Sequence, residues 1–234
     1  MKQKNRNFLF KWFRDTNLNL YNRQIKTPAY LDLNEFFPDY VDLEKNWKEI
    51  REEILSVSSS SKKIPKFHEV DDGQEYISNN DGLDWSLLNL KAYDMWHKEN
   101  CSLCPKTFAL LKKMKSVTGA QFSILAPGKH IPPHHGPYKG ILRYQLALSV
   151  PKSKECKLFV DGKPYLWEEG KSVLFDDTYV HEVINKTEEK RIALLMDIKR
   201  PIPGFFMKIY DWVIFRIAKL LVILNNTFSK STLK

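Results

Sequence analysis

Cysteine is scarce, with three in 234 residues. Three thiols give no disulfide framework. Cys101 and Cys104 form a lone C-x-x-C, and Cys156 stands apart. A zinc ribbon needs a second pair, and a thioredoxin-type motif needs its own strand-to-helix setting. The pair reads instead as two thiols beside a helix start, and a reducing compartment is implied. No P-loop, G-x-G-x-x-G or G-x-S-x-G occurs, so the usual phosphate, dinucleotide and serine-hydrolase signatures are absent. Asp161-Gly162 and Glu168-Glu169-Gly170 are turn chemistry. No spacing makes their carboxylates the acid pair of a glycosidase.

A long uncharged hydrophobic run is also missing. The nearest approach, Phe205–Leu224, carries Lys208, Asp211, Arg216 and Lys219. A spanning helix rarely carries four charges through its middle. At about 100° per residue those four fall within one arc of roughly 140° and the remainder is apolar. This predicts a helix lying in a membrane interface or packed on protein. The N-terminus lacks the apolar run and cleavage site of a secretory signal.

Charge is abundant but unevenly placed. Residues 1–26 hold seven Lys/Arg against one Asp, and residues 199–234 hold the same balance. Each tail is therefore +6, and residues 27–198 come to −3 of the chain's +9. A nucleic-acid enzyme more often concentrates basic charge around its site, so no nucleic-acid partner is expected. Basic tails rich in Phe, Trp, Ile and Leu suit an anionic membrane surface.

Four segments follow. Residues 1–26 form a basic, aromatic N-terminal segment. Residues 27–117 form a helical, loop-rich flank. Within it a helix begins at Asp42-Leu43-Glu44-Lys45 with an apolar stripe at Trp47, Ile50, Ile54 and Leu55. Residues 64–100 read as a substrate-side cover rather than core, and a helix starts at Pro105 and runs through Lys115. Residues 118–203 are strand-like. Leu142–Val150 alternates strictly, with Arg143, Gln145 and Ala147 on one face and Leu142, Tyr144, Leu146 and Leu148 on the other. Asp161-Gly162 between two short runs signals a type I′ hairpin. Many short strands with regular turns predict a mainly β fold with flanking helices, its core a double-stranded β-helix of the jelly-roll, cupin-like kind. Residues 204–234 are a basic amphipathic helix and tail.

Two histidines within this core stand in distinctive settings, Pro133-His134-His135-Gly136-Pro137 and Phe175-Asp176-Asp177-Thr178-Tyr179-Val180-His181. A non-haem iron oxygenase uses two His and one carboxylate on one face of the metal. The carboxylate normally lies two residues beyond the first His, because alternate side chains of a strand point the same way. Here that position is Gly136. Three readings follow: two-His iron with water or another anion in third place, Asp176 or Asp177 moving in, or no metal at all. Arg191 heads the apolar run RIALLMDI, which argues for an inward guanidinium with a partner rather than a surface pair with Glu188 or Glu189. A planar fork of this kind holds a carboxylate bidentately, as the distal end of a 2-oxoacid requires. Ser123 can add a hydroxyl hydrogen bond. Tyr138, His130 and His135 are candidates for lining the substrate mouth.

FSILAPGKHIPPHHGP, LRYQLALSVP, WEEGKSVLFDDTYVHEV and RIALLMDIKRP together resemble the aspartyl/asparaginyl β-hydroxylase family of Fe(II)/2-oxoglutarate dioxygenases. The resemblance implies that His134 and His181 hold Fe(II). It implies that Arg191 and Ser123 hold the distal carboxylate of 2-oxoglutarate, with Arg143 a second cosubstrate contact. It also implies that O2 is the co-reactant. Gly136 stands where vertebrate members of the family also lack the acidic ligand, and Gln145 stands where the family often has His. Over a longer span, through TPAYLDL, NWKEIREE and CPKTFALLKK, the chain is similar to the lipid A acyl-chain hydroxylase branch, which tends to carry Asp where this chain has Gly136. The resemblance implies a hydroxylase of an unactivated C–H bond in a peptide, lipid or small-molecule substrate. It further implies a cytoplasmic enzyme, peripheral on the inner face of a membrane. The competing class is a non-catalytic cupin-like binding module at such a surface.

Overall fold

The computed structural model describes residues 14–70, 75–225 and 230–233. Residues 1–13, half of the basic N-terminal segment, lie outside them. The helices in chain order are α1 (residues 14–24), α2 (Leu33–Phe36), α3 (Tyr40–Lys45), α4 (Trp47–Ser59), α5 (Phe67–Val70), α6 (Glu75–Ser78), α7 (Lys98–Leu103), α8 (Pro105–Leu111) and α9 (Phe205–Leu224). The strands are β1 (Trp85–Ala92), β2 (Met95–Trp96), β3 (Val117–Leu125), β4 (His130–His134), β5 (Ile141–Ser149), β6 (Cys156–Val160), β7 (Lys163–Tyr165), β8 (Ser172–Phe175), β9 (His181–Asn185) and β10 (Arg191–Lys199).

The described strands pair antiparallel into a six-stranded sheet, in order β2-β1-β3-β10-β5-β8, and a four-stranded sheet, in order β4-β9-β6-β7. Two facing antiparallel sheets with strands that cross between them are the double-stranded β-helix expected from the strand pattern. The alternation of β5 sets the layers. Leu142, Tyr144, Leu146 and Leu148 join one buried cluster with Ile50, Ile54 and Val57 of α4. On the opposite face Ala147 packs with Leu158, Val160 and Val183 of the smaller sheet. Helices therefore cover the outer face of the large sheet, and the inner face looks into the barrel.

Local chemistry explains the turns. Asp161 and Gly162 take φ of 53° and 71°, the two left-handed residues that a type I′ turn requires between β6 and β7. Pro105 sits in the first turn of α8, where its missing N–H costs nothing.

Three expectations are corrected. β1 lies in the large sheet beside β3, with Leu87, Leu88 and Leu90 fully or almost fully buried, so residues 85–92 are core rather than cover. WSLLNLKA is apolar toward both faces and shows no alternation. The helix expected from residue 42 is broken at Asn46 into α3 and α4, and Val57 rather than Leu55 completes its buried stripe. The helix from Pro105 ends at Leu111 instead of Lys115.

Candidate active site

Strand pairing delivers the two histidines. His134 ends β4, His181 begins β9, and the two are register partners. Their ring centroids are 4.2 Å apart. Metal–imidazole bonds run about 2 Å, so one ion can meet both rings. Each ring is oriented by a backbone carbonyl: Nδ1 of His134 lies 2.8 Å from the Pro132 oxygen, and Nδ1 of His181 lies 2.9 Å from the Tyr179 oxygen. A carbonyl only accepts, so both Nδ1 atoms carry the proton and both Nε2 lone pairs are left for a ligand. Burial favours the neutral form of both rings. It pushes His134 down to about 3, helped by the adjacent His181, and lowers His181 as well.

Both rings line a cavity of about 120 Å³. Arg191, 1% exposed, closes its deep end. The guanidinium donates weakly to Ser123 Oγ at 3.4 Å and stacks over the Trp167 ring, with its carbon 4.5 Å from the centroid. Its Nε is buried without a hydrogen-bond partner, and among the described residues no carboxylate lies within ion-pair distance of it. Burial of an unmatched charge lowers its pKa to about 10. A guanidinium left this way is costly unless an anion joins it. Ser123 Oγ accepts from Trp85 Nε1 at 3.0 Å, so its own proton remains to be given to such an anion. Gln145 Oε1 accepts from Trp167 Nε1 at 3.2 Å, which leaves the amide NH₂ as a donor.

The third side of the histidine pair is distinctive. A Cβ on Gly136 would meet the Asp177 carboxylate at 2.6 Å. Asp177 pairs with Arg143 at 3.0 Å, and Arg143 also pairs with Asp197 at 3.0 Å. Asp177 Oδ1 is buried without a partner. Among the described residues no three His, Cys, Asp or Glu side chains converge as a metal site. The two rings are close enough to share one ion, and Asp177 lines the same cavity with one carboxylate oxygen unpartnered. Arg143 spends its fork on two carboxylates.

The mouth residues divide. His135 lines the cavity. Tyr138 borders a second, adjoining cavity and donates to Asp211 of α9 at 2.6 Å. His130 lines neither cavity and pairs instead with Glu182 at 2.8 Å, two positions along β9 from its register partner Ile184. Sequence reasoning missed Trp85 and Trp167; the tryptophan of WEEGKSVLF, just before a strand of the inner sheet face, was the available signal. Cys101 is buried within α7 and Cys104 between α7 and α8, and burial raises their thiols to about 11 and about 12.

A double-stranded β-helix that brings two imidazoles together beside a buried, unmatched arginine is a frame able to hold a metal ion and an anionic cosubstrate in one cavity. A sequence profile described as aspartyl/asparaginyl beta-hydroxylase matches residues 44–201. The chain is 33% identical over 204 residues to the ornithine lipid ester-linked acyl 2-hydroxylase of Rhizobium tropici, which covers 86% of this chain and 70% of that protein. It is 34% identical over 168 residues to the aspartyl/asparaginyl beta-hydroxylase of Mus musculus, covering 68% of this chain and 21% of the mouse protein. A Pseudomonas putida prolyl-4-hydroxylase aligns with TM-score 0.42 and 12% identity over 68% of this chain and 88% of that one. The chain belongs to the aspartyl/asparaginyl β-hydroxylase family, and it is a hydroxylase of the dioxygenase type.

Proposed function

We propose that this chain hydroxylates a C–H bond in an acyl chain of a membrane lipid, using Fe(II) on His134 and His181 and 2-oxoglutarate on Arg191 and Ser123. The observation that carries the cofactor assignment is the buried, unmatched Arg191 at the deep end of the cavity that holds the histidine pair. When bound, iron and 2-oxoglutarate supply the oxidising power: O2 is consumed, the oxoacid leaves as succinate and CO₂, and one oxygen atom ends on the substrate carbon.

The residues do the rest. His134 and His181 present two neutral nitrogens, locked by Pro132 and Tyr179. Arg191 neutralises the distal carboxylate in a dry site, where charge pairing is strong. Trp167 holds the guanidinium plane, and the Ser123 hydroxyl is free to donate a hydrogen bond to the same carboxylate. Gln145 offers its NH₂ to the cavity. Asp177, through its ion pair with Arg143, fixes the wall beside the histidines. Phe67, Ile77 and Phe175 shield the cavity from solvent water.

Two observations favour a lipid. The Rhizobium tropici relative matches over most of both chains, whereas the chain spans about a fifth of the mouse relative. Helix α9 also exposes Phe206, Ile209, Trp212 and Leu220. Lys208, Arg216 and Lys219 accompany them, a face suited to anionic lipid. Among the described residues no helix is long and apolar enough to cross a membrane. A peripheral position on the inner face of a membrane suits that helix and the three free cysteines. The alternative substrate, an Asp or Asn residue of a peptide, is favoured by the mouse relative.

The deciding assay mixes purified protein with Fe(II), ascorbate and 2-oxoglutarate in air, with lipid vesicles or an Asp-containing peptide. Succinate should rise with lipid, and the lipid should gain the mass of one oxygen atom. Oxidation of the peptide alone would replace the substrate assignment. No succinate and no metal binding would leave the non-catalytic module.

A further inference from the structure

Beside the histidine cavity lies a larger one of about 470 Å³, roofed by α9. The two cavities share Phe67, Gln121, Pro137, Arg143 and Leu195 in their walls. On the sheet side the larger cavity is floored by Leu87, Ala120 and Leu195, with Val70 at its flank. On the helix side it meets Ile214, Ile217, Ala218, Leu221 and Val222.

The charged side chains of its lining are already engaged, and the amides of Asn89, Gln121 and Asn225 also border it. Lys91 donates to the Val117 carbonyl and pairs with Asp94. Arg143 is held by Asp177 and Asp197. Asn17 accepts from Tyr210, and Arg14 pairs with Asp15. A peptide segment brings N–H and C=O groups that each need a partner when buried, and these walls have few to spare. An alkyl chain needs none and gains from every apolar contact.

The cavity also has a route from outside. Ile217 and Leu221 line it, yet they are 43% and 53% exposed. They stand at the edge of the apolar stripe that α9 turns outward. Ile217 and Leu221 thus belong both to the exterior of α9 and to the cavity lining, and Leu195 belongs to the walls of both cavities. Asp211 anchors the roof, accepting hydrogen bonds from Tyr21 at 2.8 Å and Tyr138 at 2.6 Å. Tyr138 follows the HHGP segment directly, so the roof and the histidine loop are tied at one point.

We propose that the cavity beneath α9 is the binding site of an unbranched acyl chain, which enters past Ile217 and Leu221 and reaches the histidine pair along the shared wall. This deepens the lipid hydroxylase reading and rests on it. Full-length protein loaded anaerobically with Fe(II) and 2-oxoglutarate is titrated with cis-parinaric acid, a straight-chain fatty acid whose fluorescence rises in apolar surroundings. Ala218→Trp, which fills the space under the roof, should weaken binding at least about tenfold, as the removal of apolar contact predicts, while metal binding is kept. Unchanged affinity in a folded variant overturns the proposal. In case that variant does not fold, wild-type protein is photolabelled with a diazirine fatty acid. Labels in β3 and α9 support the site, and labels confined elsewhere overturn it. Two outcomes separate this site from the function. Probe binding sensitive to Ala218→Trp, in protein that oxidises no lipid, keeps the cavity and removes the hydroxylation reading. Lipid oxidation with rate and chain-length range unchanged by Ala218→Trp keeps the hydroxylation and removes the cavity.

Discussion

Gly136 and Asp177 stand so close that the glycine N–H donates to the Asp177 carbonyl at 2.7 Å, and a Cβ on the glycine would press into the Asp177 carboxylate. The space in which a strand-borne carboxylate would accompany His134 is thus filled from another loop. Gly136→Asp should therefore not improve the metal site. It should overpack it, at about 1–3 kcal/mol, and add a second negative charge. Thermal unfolding should fall, and Co(II) affinity, read by titration, should not tighten. Adding Asp177→Gly in the same chain should recover the lost stability. A single Gly136→Asp variant that is both more stable and tighter for metal would contradict this account.

Arg191 gives the opposite sign for stability and binding. Its charge is buried with no carboxylate partner. Replacing an unmatched buried charge by an apolar side chain of similar length removes a cost. Arg191→Met should leave the unliganded protein as stable as wild type or more so. The same change should weaken 2-oxoglutarate by about 2–5 kcal/mol, on the order of 30-fold or more. Calorimetric titration beside a thermal melt reads both. Loss of stability without loss of cosubstrate affinity would make Arg191 a structural residue only.

Much of this was legible in the chain. The alternation of Leu142–Val150 put Arg143 and Gln145 on one face of β5, and the fold turns that face to the histidine cavity. The hairpin at Asp161-Gly162 carried its own turn chemistry. β1 was not legible, because a strand buried on both faces shows no period. The sequence offered Asp177 only as one of two carboxylates that could move in beside the histidines, with nothing to fix its position. Its place is set instead by the approach of its loop to Gly136, a contact between segments 41 positions apart. Asp211 was counted in the polar arc of α9. The fold turns it inward to two tyrosines, and so leaves the outer polar edge of the described helix purely basic.

Asp176, the neighbour that does not enter the cavity, holds the barrel end together. Its carboxylate receives Arg200 at 2.7 Å, Lys139 at 3.1 Å and the Thr178 hydroxyl at 2.6 Å. Burial alone would raise its pKa, but Arg200, Thr178 and Lys139 together hold it below the usual carboxylate range. Asp176→Asn leaves two buried cations unmatched and should cost about 3–5 kcal/mol at neutral pH. With a folded pKa below the unfolded value of about 3.9, the contribution is complete above that value and is lost as pH falls through the folded one. Urea unfolding should therefore show a constant gap between wild type and variant from neutral pH down to about pH 4, closing below it. A gap that closes well above that point would assign the effect to another group.

Helix α9 carries the last test, because its outer surface is two stripes rather than one. At about 100° per residue, Ile209, Leu220, Val213, Phe206, Leu224 and Ile217 fall within an arc of about 80°. Lys208, Lys219 and Arg216 occupy a neighbouring arc of similar width, which they share with exposed Phe205, Trp212 and Ile223, and the Arg216 guanidinium lies 5.2 Å from the indole centroid. The peripheral membrane position proposed above would set the apolar stripe in the acyl boundary and the cations at the headgroups. Full-length protein should co-sediment with vesicles containing phosphatidylglycerol and far less with pure phosphatidylcholine. Raising salt above about 0.1 M, where the Debye length is about 10 Å, should weaken the electrostatic part. Arg216→Gln and Lys219→Gln should each remove about 1 kcal/mol, and Leu220→Glu should remove more, since it puts a charge in the apolar stripe. Iron and 2-oxoglutarate are not needed, so the result stands apart from catalysis. If the stripe instead packs against a second copy of the chain, sedimentation velocity will show a dimer that Leu220→Glu dissociates, and the vesicles will stay bare.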